Sequence, residues 1–241
     1  MPKVIFLDAV GTLFNVRSSV GEAYNKIASR FGVQVSPEVL NRAFIQSFSS
    51  ASPMAFPGIE SAKVPEKEFD WWRELAVQTF QTAGAFSQFS DFSSFFCELY
   101  AYFATAEPWF IYPDVKPALE RWQNQEIELA VLSNFDSRLY PVLKALNLAD
   151  FFTSVTISTE VGAAKPDSQI FAAALQKHGC KPESALHIGD SFKADYQGAK
   201  NSGIEAIWLK RDEDKIPTPT AKSSIVEPKI EQCASLDFLS F

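Results

Sequence analysis

The segment VIFLDAVGTLF, residues 4–14, constrains the fold more than any other part of the sequence. It begins with four consecutive apolar residues, which is typical of a strand buried on both faces of a parallel sheet. Asp8 follows directly, and Gly11 and Thr12 turn the chain out of the sheet. Ligands of open α/β sheets bind beyond the carboxyl ends of the strands. Asp8 is therefore a candidate nucleophile or metal ligand, although Asp also occurs in many ordinary turns.

Strand patterns recur after residue 108 and alternate with helical patterns. Strands are predicted over 129–132, 154–157, 185–188 and 204–209, and helices over 113–125, 137–146, 167–178 and 195–202. This alternation predicts an α/β fold with a doubly wound parallel sheet, which is a Rossmann-like core. Residues 212–228 are polar and contain proline, which predicts a loop, and the tail over 230–241 is expected to form one short packed helix.

Residues 17–107 show no strand pattern. Apolar residues recur there at helical spacing in four stretches, and Ser36-Pro37 is a typical helix start. A block of this length is too long for a crossover between neighbouring strands. We therefore predict that residues 17–107 form an all-helical cap domain and that residues 1–16 and 108–241 form the α/β core domain.

Polar residues follow the predicted strands at the points where they end. They are Asp8, Ser133 with Asn134, Lys165 in the loop after its strand, and Asp190. Because the carboxyl ends of parallel strands meet at one edge, we expect these groups to share a crevice. Asp8 would attack phosphorus and form an aspartyl phosphate, while Asp8 and Asp190 would hold Mg²⁺. Ser133 and the amides near Asn134 would bind phosphate oxygens, and Lys165 would neutralise charge.

Four motifs appear in order along the chain, LDAVGTLF, LSNFD, AKPDSQIF and HIGDSFKADYQGA. Together they resemble the haloacid dehalogenase-like hydrolase superfamily. The resemblance covers nearly the whole chain, since the helical block sits where that superfamily carries its first cap. The stretches GEAYNKIASRFG and LSNFDSRL, with the Trp71-Trp72 pair, resemble one branch, the domain-containing protein 3 group. The resemblance implies a Mg²⁺-dependent phosphatase or phosphoryl-transfer enzyme that acts on a small phosphorylated metabolite.

One position departs from the pattern of that superfamily. Its phosphatases usually have an Asp two residues after the nucleophile, which protonates the leaving group and later activates water, whereas this chain has Val10. General acid–base catalysis is typically worth about 10²–10⁴-fold, so ordinary phosphomonoesterase activity is expected to be weakened by that factor. The carbonyl of residue 10 can still bind a metal. The resemblance assigns catalysis to Asp8, Thr12, Ser133 and Lys165, phosphate binding to Ser133, Asn134 and Lys165, metal binding to Asp8, Val10 and Asp190, and a supporting role to Asp195.

Three alternatives remain open. The dehalogenases of the superfamily also lack the second Asp, attack carbon without a metal, and use a cap Arg, for which Arg42 is the nearest candidate. Phosphonate hydrolysis would need a cap Lys for a Schiff base, at Lys26. A weakened chain kept as a phosphometabolite-binding or partner-binding module is the third. Exposed Arg and Lys are usually only solvated, and retention of Asp8 favours catalysis.

The composition limits the partners and the compartment. The net charge of −7 argues against a nucleic-acid binder. Three distant cysteines without metal-ligand spacing indicate reduced thiols, and the N-terminus begins the core strand directly, so a cytoplasmic or other reducing soluble compartment is expected. No apolar run reaches membrane-spanning length. We expect a monomer or homodimer.

The cap is expected to determine which substrate binds. Residues 49–64 form the segment that we expect to contact the ligand. The aromatic faces of the predicted cap helices are most simply helix packing and could also line a specificity pocket. Both histidines, His178 and His187, are expected to be structural.

Overall fold

The computed structural model describes residues 1–211, 231–239 and 241. Its centre is a parallel six-stranded sheet in the order β5–β4–β1–β6–β7–β8. The strands are β1 (Val4–Leu7), β4 (Glu128–Ser133), β5 (Ser154–Ile157), β6 (Ala185–Gly189), β7 (Glu205–Leu209) and β8 (Gln232–Cys233). β1 lies between β4 and β6 and is fully buried, as its apolar composition predicts. The predicted doubly wound α/β fold is confirmed.

Helices cover both faces of this sheet. Successive side chains of a strand point to opposite faces, so β1 contributes Ile5 and Leu7 to one apolar core and Val4 and Phe6 to the other. Side chains of α5 and α6 pack in the first core, and those of α8 and α9 pack in the second. The helices are α5 (Val115–Gln123), α6 (Leu139–Ala145), α7 (Ser158–Val161), α8 (Ser168–His178) and α9 (Gly198–Asn201).

Every element between residues 20 and 102 is helical, and none of this block enters the central sheet. Ser36 accepts a hydrogen bond from the Val39 amide at the start of α2, so the predicted helix start is confirmed. The block has its own core, which is rich in phenylalanine. The division into two domains stays a prediction. The four longer helices are α1 (Val20–Ala28), α2 (Pro37–Ser50), α3 (Val64–Thr82) and α4 (Phe92–Tyr102).

The structure adds short strands that the sequence did not reveal. β2 (Phe14–Val16) pairs in antiparallel fashion with β3 (Trp109–Ile111) where the helical block begins and ends. β8 extends the central sheet beyond β7, and the described part of the tail contains one helical turn, Leu236–Phe238. Strands of two or three residues are too short to show periodicity. The predicted loop over 212–228 lies outside the described residues.

None of the helices in the described ranges has both the length and the apolar character that crossing a membrane requires.

Candidate active site

The polar residues that follow β1, β4 and β6 meet at one edge of the sheet. Asp8 follows β1, Ser133 ends β4 and Asp190 follows β6, because the parallel register aligns the carboxyl ends of these strands. Lys165 enters from the loop after α7 and reaches Asp8. We call Asp8, Lys165, Asp190 and Asp195 the strand-end cluster.

Lys165 is the centre of this cluster. Its ammonium group is buried and donates to Asp8 Oδ1 at 2.6 Å, to Asp195 Oδ1 at 2.5 Å and to the Leu132 carbonyl at 2.9 Å. An ammonium group has three donors, so all of them are used and the side chain is fixed in place. Lys165 therefore holds the Asp8 carboxylate in a single position.

Asn134 fixes the backbone of Lys165 with its side chain. Its amide nitrogen donates to the Lys165 carbonyl at 2.9 Å, and its amide oxygen accepts from the Lys165 N–H at 2.7 Å. These bonds use one of the two hydrogens of the NH₂ group and leave the backbone amide out, so the phosphate contact at Asn134 stays a prediction. Ser133 hydrogen-bonds to Asp8 and lowers the pKa of that carboxyl, although burial acts more strongly in the opposite direction.

Asp195 is held on both of its oxygens. Oδ1 contacts Lys165 and His187 Nε2, the latter at 2.9 Å, and Oδ2 accepts from the Ser191 amide at 2.9 Å. Gly189 leaves the space for this carboxylate, because a Cβ there would lie 2.2 Å from Asp195 Cγ. His187 thus orients Asp195, and Asp195 in turn orients Lys165. Its position in a buried strand beside the site was the signal available in the sequence.

The charges of the cluster do not balance. Three carboxylates, those of Asp8, Asp190 and Asp195, have oxygens within 4.8 Å of one another, and they face one ammonium group. Burial raises the pKa of Asp190 to about 8, and repulsion from Asp8 and Asp195 adds to the rise. Burial also raises the pKa of Asp8. Burial opposes ionisation of Asp195 too, yet Lys165 and His187 hold its pKa below the usual range. The excess negative charge therefore falls on Asp8 and Asp190.

This donor set fits a hard divalent cation. Carboxylate oxygens are the ligands that Mg²⁺ prefers, and within the described residues no Lys, Arg or His forms an ion pair with Asp190. Gly11 has a φ of 85°, and a Cβ there would lie 2.4 Å from Asp190 Oδ2, so only glycine leaves this carboxylate room. Asp8 and Asp190 are the residues that would hold the ion, because Asp195 is already occupied. The Val10 carbonyl remains a predicted ligand.

Thr12 lies inside the turn that follows Asp8. It is fully buried, and its hydroxyl has no hydrogen-bond partner among the described residues. Its predicted catalytic role is untested by this geometry, although a buried hydroxyl that has no partner is costly.

A cavity of about 760 Å³ opens beside Lys165 and Val10 and extends under the helical block. Ser52 and Met54, from the segment expected to contact the ligand, line it. Arg42, the candidate dehalogenase residue, is exposed and lies outside the cavity wall, and Lys26 is exposed and pairs with Glu107. Both therefore match the reading of solvated surface residues.

Arg138 is a buried wall residue that the sequence did not suggest. Its guanidinium pairs with Asp136, with Nη2–Oδ2 at 2.6 Å and Nε–Oδ1 at 2.8 Å. Trp72 of α3 also donates to Asp136, at 2.6 Å. Nearby, Glu68 of α3 accepts from the Ser137 amide and from Thr159. These contacts join the helical block to the edge of the sheet and close the cavity on that side.

The comparisons agree with the motifs. The family model for haloacid dehalogenase-like hydrolases matches residues 2–203. The mouse haloacid dehalogenase-like hydrolase domain-containing protein 3 is 32% identical over 216 residues, which covers 88% of this chain and 83% of the relative. The Drosophila melanogaster rhythmically expressed gene 2 protein is 31% identical over 209 residues, 83% of this chain and 80% of the relative. The chain therefore belongs to the haloacid dehalogenase-like hydrolase family, and its predicted resemblance to the domain-containing protein 3 branch is confirmed.

A solved structure shares the fold. The L-2-haloacid dehalogenase from Xanthobacter autotrophicus aligns with a TM-score of 0.69 at 20% identity, over 98% of this chain and 96% of that one. At this identity the likeness describes architecture and leaves the reaction to be argued from the site.

Proposed function

We propose that this protein is a Mg²⁺-dependent phosphatase or phosphoryl-transfer enzyme that acts on a small phosphorylated metabolite through an aspartyl phosphate on Asp8. The observation that carries this proposal is the charge imbalance of the strand-end cluster. A phosphate group adds further negative charge beside Asp8 and Asp190, so a divalent cation is needed to bring nucleophile and substrate together. Mg²⁺ would supply that charge and polarise the phosphoryl oxygens.

The residues perform the two displacements as follows. An Asp8 carboxylate oxygen forms a bond to phosphorus, and the bond from phosphorus to the leaving oxygen breaks with its electron pair. Lys165 keeps Asp8 aligned and offsets charge on the phosphoryl group. Water then attacks phosphorus, the Asp8 oxygen departs as carboxylate, and inorganic phosphate leaves. Such catalysis is largely positioning and electrostatics, for which a fully hydrogen-bonded Lys165 is suited.

Val10 removes the usual proton donor from this scheme. A nitrophenolate or acyl phosphate leaving group scarcely needs a proton, whereas a sugar alkoxide does. We therefore expect a steep dependence of the rate on leaving-group pKa, with turnover of activated esters and little turnover of alkyl phosphates. The aspartyl phosphate is also expected to hydrolyse slowly, because the same missing group would activate water.

The alternatives predict different results. Dehalogenation at carbon needs no metal, but it does need a cationic cap residue. Arg42 lies outside the cavity, and Arg138 is already paired with Asp136. A binding module would bind phosphometabolites without turnover. The retained Asp8–Lys165 ion pair favours catalysis over a binding module.

The test compares acetyl phosphate, 4-nitrophenyl phosphate and 2-chloropropionate, each with Mg²⁺ and with chelator. We expect phosphate release that requires Mg²⁺, and no halide release. Val10→Asp should raise alkyl phosphate hydrolysis by about 10²-fold or more, with Val10→Asn as the control that has the size without the proton. Halide release in the presence of chelator would refute the proposal, whereas alkyl phosphate turnover by the wild type at an ordinary enzyme rate would refute only the effect assigned to Val10.

A further inference from the structure

The cavity beside the strand-end cluster has a wall that is largely aromatic. Eight of its aromatic side chains come from the helical block, and they surround the space above the nucleophile. Two of them are Tyr24 and Tyr100, and the other six are Phe44, Phe48, Trp71, Trp72, Phe96 and Phe103. A volume of about 760 Å³ far exceeds a phosphate group and lies in the range of pockets that bury drug-sized ligands. The wall therefore fits a substrate body that is large and apolar.

The polar groups on this wall are mostly occupied by the protein. The Asn15 side-chain nitrogen donates to the Tyr112 hydroxyl and its oxygen accepts from the Val16 amide. Asn41 accepts from the Gly21 amide at 3.3 Å, and Trp71 donates to the Ser52 carbonyl at 3.0 Å.

The guanidinium of Arg138, which also lies on the wall, is paired within the protein. Asp136 neutralises Arg138, and the Tyr100 ring covers its guanidinium at 4.0 Å. A buried hydroxyl that finds no partner is costly. A sugar phosphate, with several hydroxyl groups, therefore fits this wall poorly.

The wall also lacks a proton donor of suitable strength. Among the described residues that line the cavity, none is Asp, Glu or His. Tyr24 and Tyr100 are present, but burial raises the pKa of both above the usual value, so they are weak acids. Lys165 has all its hydrogens engaged. A leaving group must therefore depart as an anion, which a phenol, with a pKa of about 10, does far more readily than an aliphatic alcohol.

We propose that the substrate is an aryl phosphate, a phosphate monoester whose aromatic body occupies the cavity and whose oxygen leaves as a phenolate. This inference rests on the proposed function and narrows it. Aromatic walls and the absence of an acid are independent observations. The first selects a large apolar body, the second selects a leaving group that is stable as an anion, and an aryl phosphate has both. The Asp8 oxygen bonds to phosphorus, the bond from phosphorus to the aryl oxygen breaks, and the phenolate takes its proton from solvent after release.

Four substrates test the effect of the aromatic wall separately from the effect of the missing proton donor. 1-Naphthyl phosphate has both the aromatic body and the stable leaving group, and acetyl phosphate has only the leaving group. Cyclohexyl phosphate has an apolar body with a poor leaving group, and glucose 6-phosphate has neither. We expect the highest kcat/KM for naphthyl phosphate and a KM at least about tenfold below that of acetyl phosphate. Cyclohexyl phosphate should inhibit competitively and turn over slowly.

A pair of variants locates the aromatic body. Phe48 is 49% exposed, lines the cavity and stacks on Phe44 at 5.5 Å, so Phe48→Ala should fold and should raise KM for naphthyl phosphate much more than KM for acetyl phosphate. Phe86→Ala removes a ring outside the cavity and should change neither. Quenching of tryptophan fluorescence by 1-naphthol gives a second readout, because Trp71 and Trp72 lie on the wall.

The outcomes separate failure of the inference from failure of the proposed function. If acetyl phosphate and glucose 6-phosphate are hydrolysed as efficiently as naphthyl phosphate, the protein is a phosphatase and the aryl assignment is wrong. If no phosphate ester or anhydride is hydrolysed with Mg²⁺, the proposed function fails, and the aryl assignment fails with it. Equal effects of Phe48→Ala and Phe86→Ala would also overturn the assignment.

Discussion

Two buried carboxylate clusters in this protein contain similar groups and differ in how their charges are balanced. In the strand-end cluster three carboxylates share one lysine. In the other cluster, which we call the clamp, Asp114 accepts from Arg211 Nη1 at 2.9 Å, from Ser235 at 2.9 Å and from the Leu236 amide at 2.8 Å. One carboxylate there meets one guanidinium, so the clamp is neutral and its acceptors are filled.

The carboxyl pKa values reflect this difference in charge balance: the pKa is lowered at Asp114 of the clamp and raised at Asp190 of the strand-end cluster. Burial opposes ionisation of Asp114, yet the Leu236 amide and Arg211 hold its pKa below the ordinary value. Burial raises the pKa of Asp190, where repulsion from other carboxylates adds to the effect. A buried charge is tolerated when it is paired and hydrogen-bonded. The clamp therefore meets the requirements of a structural ion pair, whereas the strand-end cluster has more carboxylates than positive charges, which the proposed Mg²⁺ would offset.

The clamp also reaches the turn that follows Asp8. Arg211 Nη2 donates to the Thr12 carbonyl at 2.6 Å, and its guanidinium stacks on the Tyr112 ring at 3.7 Å. It thereby joins the C-terminal segment, the start of α5 and the turn after β1. The Thr12 carbonyl thus connects the clamp to the turn that follows Asp8. Because the two clusters lie in one region, different responses to mutation would test whether they have different roles.

The largest expected effect is that of Asp8→Asn on activity. Loss of a nucleophile that forms a covalent intermediate should lower kcat/KM for activated phosphate esters by about 10⁴-fold or more. Asn keeps the shape and can still accept from Lys165, so the free energy of unfolding should be close to that of the wild type. Steady-state kinetics and urea unfolding measure the two quantities. Retention of a tenth of the wild-type activity would exclude Asp8 as the nucleophile.

Asp114→Asn should show the opposite pattern. Removing one partner of a buried ion pair leaves Arg211 uncompensated, so the free energy of unfolding should fall by about 3 kcal/mol. The folded fraction should retain most of its activity, because no atom of Asp114 belongs to the strand-end cluster. Asp237→Asn is the matched control, since this exposed carboxylate lies on the C-terminal segment whose Ser235 and Leu236 donate to Asp114. A variant as stable as the wild type would show that the clamp is not structural.

Asp190→Asn tests the difference between the two clusters by its effect on Mg²⁺ binding. In metal-free protein at neutral pH the substitution should stabilise the fold. Asp190 must take up a proton on folding, since its pKa rises to about 8, and Asn does not have to. Mg²⁺ at about 100 times its Kd should stabilise the wild type by about 2.7 kcal/mol and should leave Asp190→Asn almost unchanged. Thermal unfolding with and without Mg²⁺ measures both. Asp114→Asn should keep the Mg²⁺ response, and an equal response in Asp190→Asn would remove Asp190 from the metal site.

The sequence predicted those parts of the fold and site that depend on local pattern. The apolar run of β1 and the signal Ser36-Pro37 are contiguous features, and the structure contains both. Asp8 and Lys165 were predicted to share a crevice, because parallel strands bring their carboxyl ends together. The structure places them 2.6 Å apart, between Asp8 Oδ1 and Lys165 Nζ.

The contacts that the sequence missed join distant segments without a local signal. Asp114 and Arg211 are 97 residues apart, and Trp72 and Asp136 are 64 apart. Asp136 and Trp72 lie in the quoted stretches LSNFD and Trp71-Trp72, but no motif pairs one with the other, and Asp114 and Arg211 lie in none of the four motifs. Charged residues at such positions are ordinary on a surface. The pairing of β2 with β3 was hidden for a related reason, since three residues are too few to show an alternation. The cavity wall depends on the same long-range packing, so only its aromatic composition was readable.

The smallest expected effect is the pH dependence of the clamp, because only the ionic part of Asp114→Asn can titrate. The folded pKa of Asp114 lies below its unfolded value of about 3.9. A group with a lowered folded pKa contributes stability above its unfolded pKa and loses that contribution as the pH falls through the folded value. The difference in unfolding free energy between wild type and Asp114→Asn should therefore be constant between about pH 5 and pH 7 and should shrink below about pH 4. Urea unfolding of both proteins across that range measures it, with Asp237→Asn as the exposed control. A difference that stays the same at acid pH would assign the stabilisation to hydrogen-bond geometry alone, and the clamp would then differ from the strand-end cluster in packing rather than in charge.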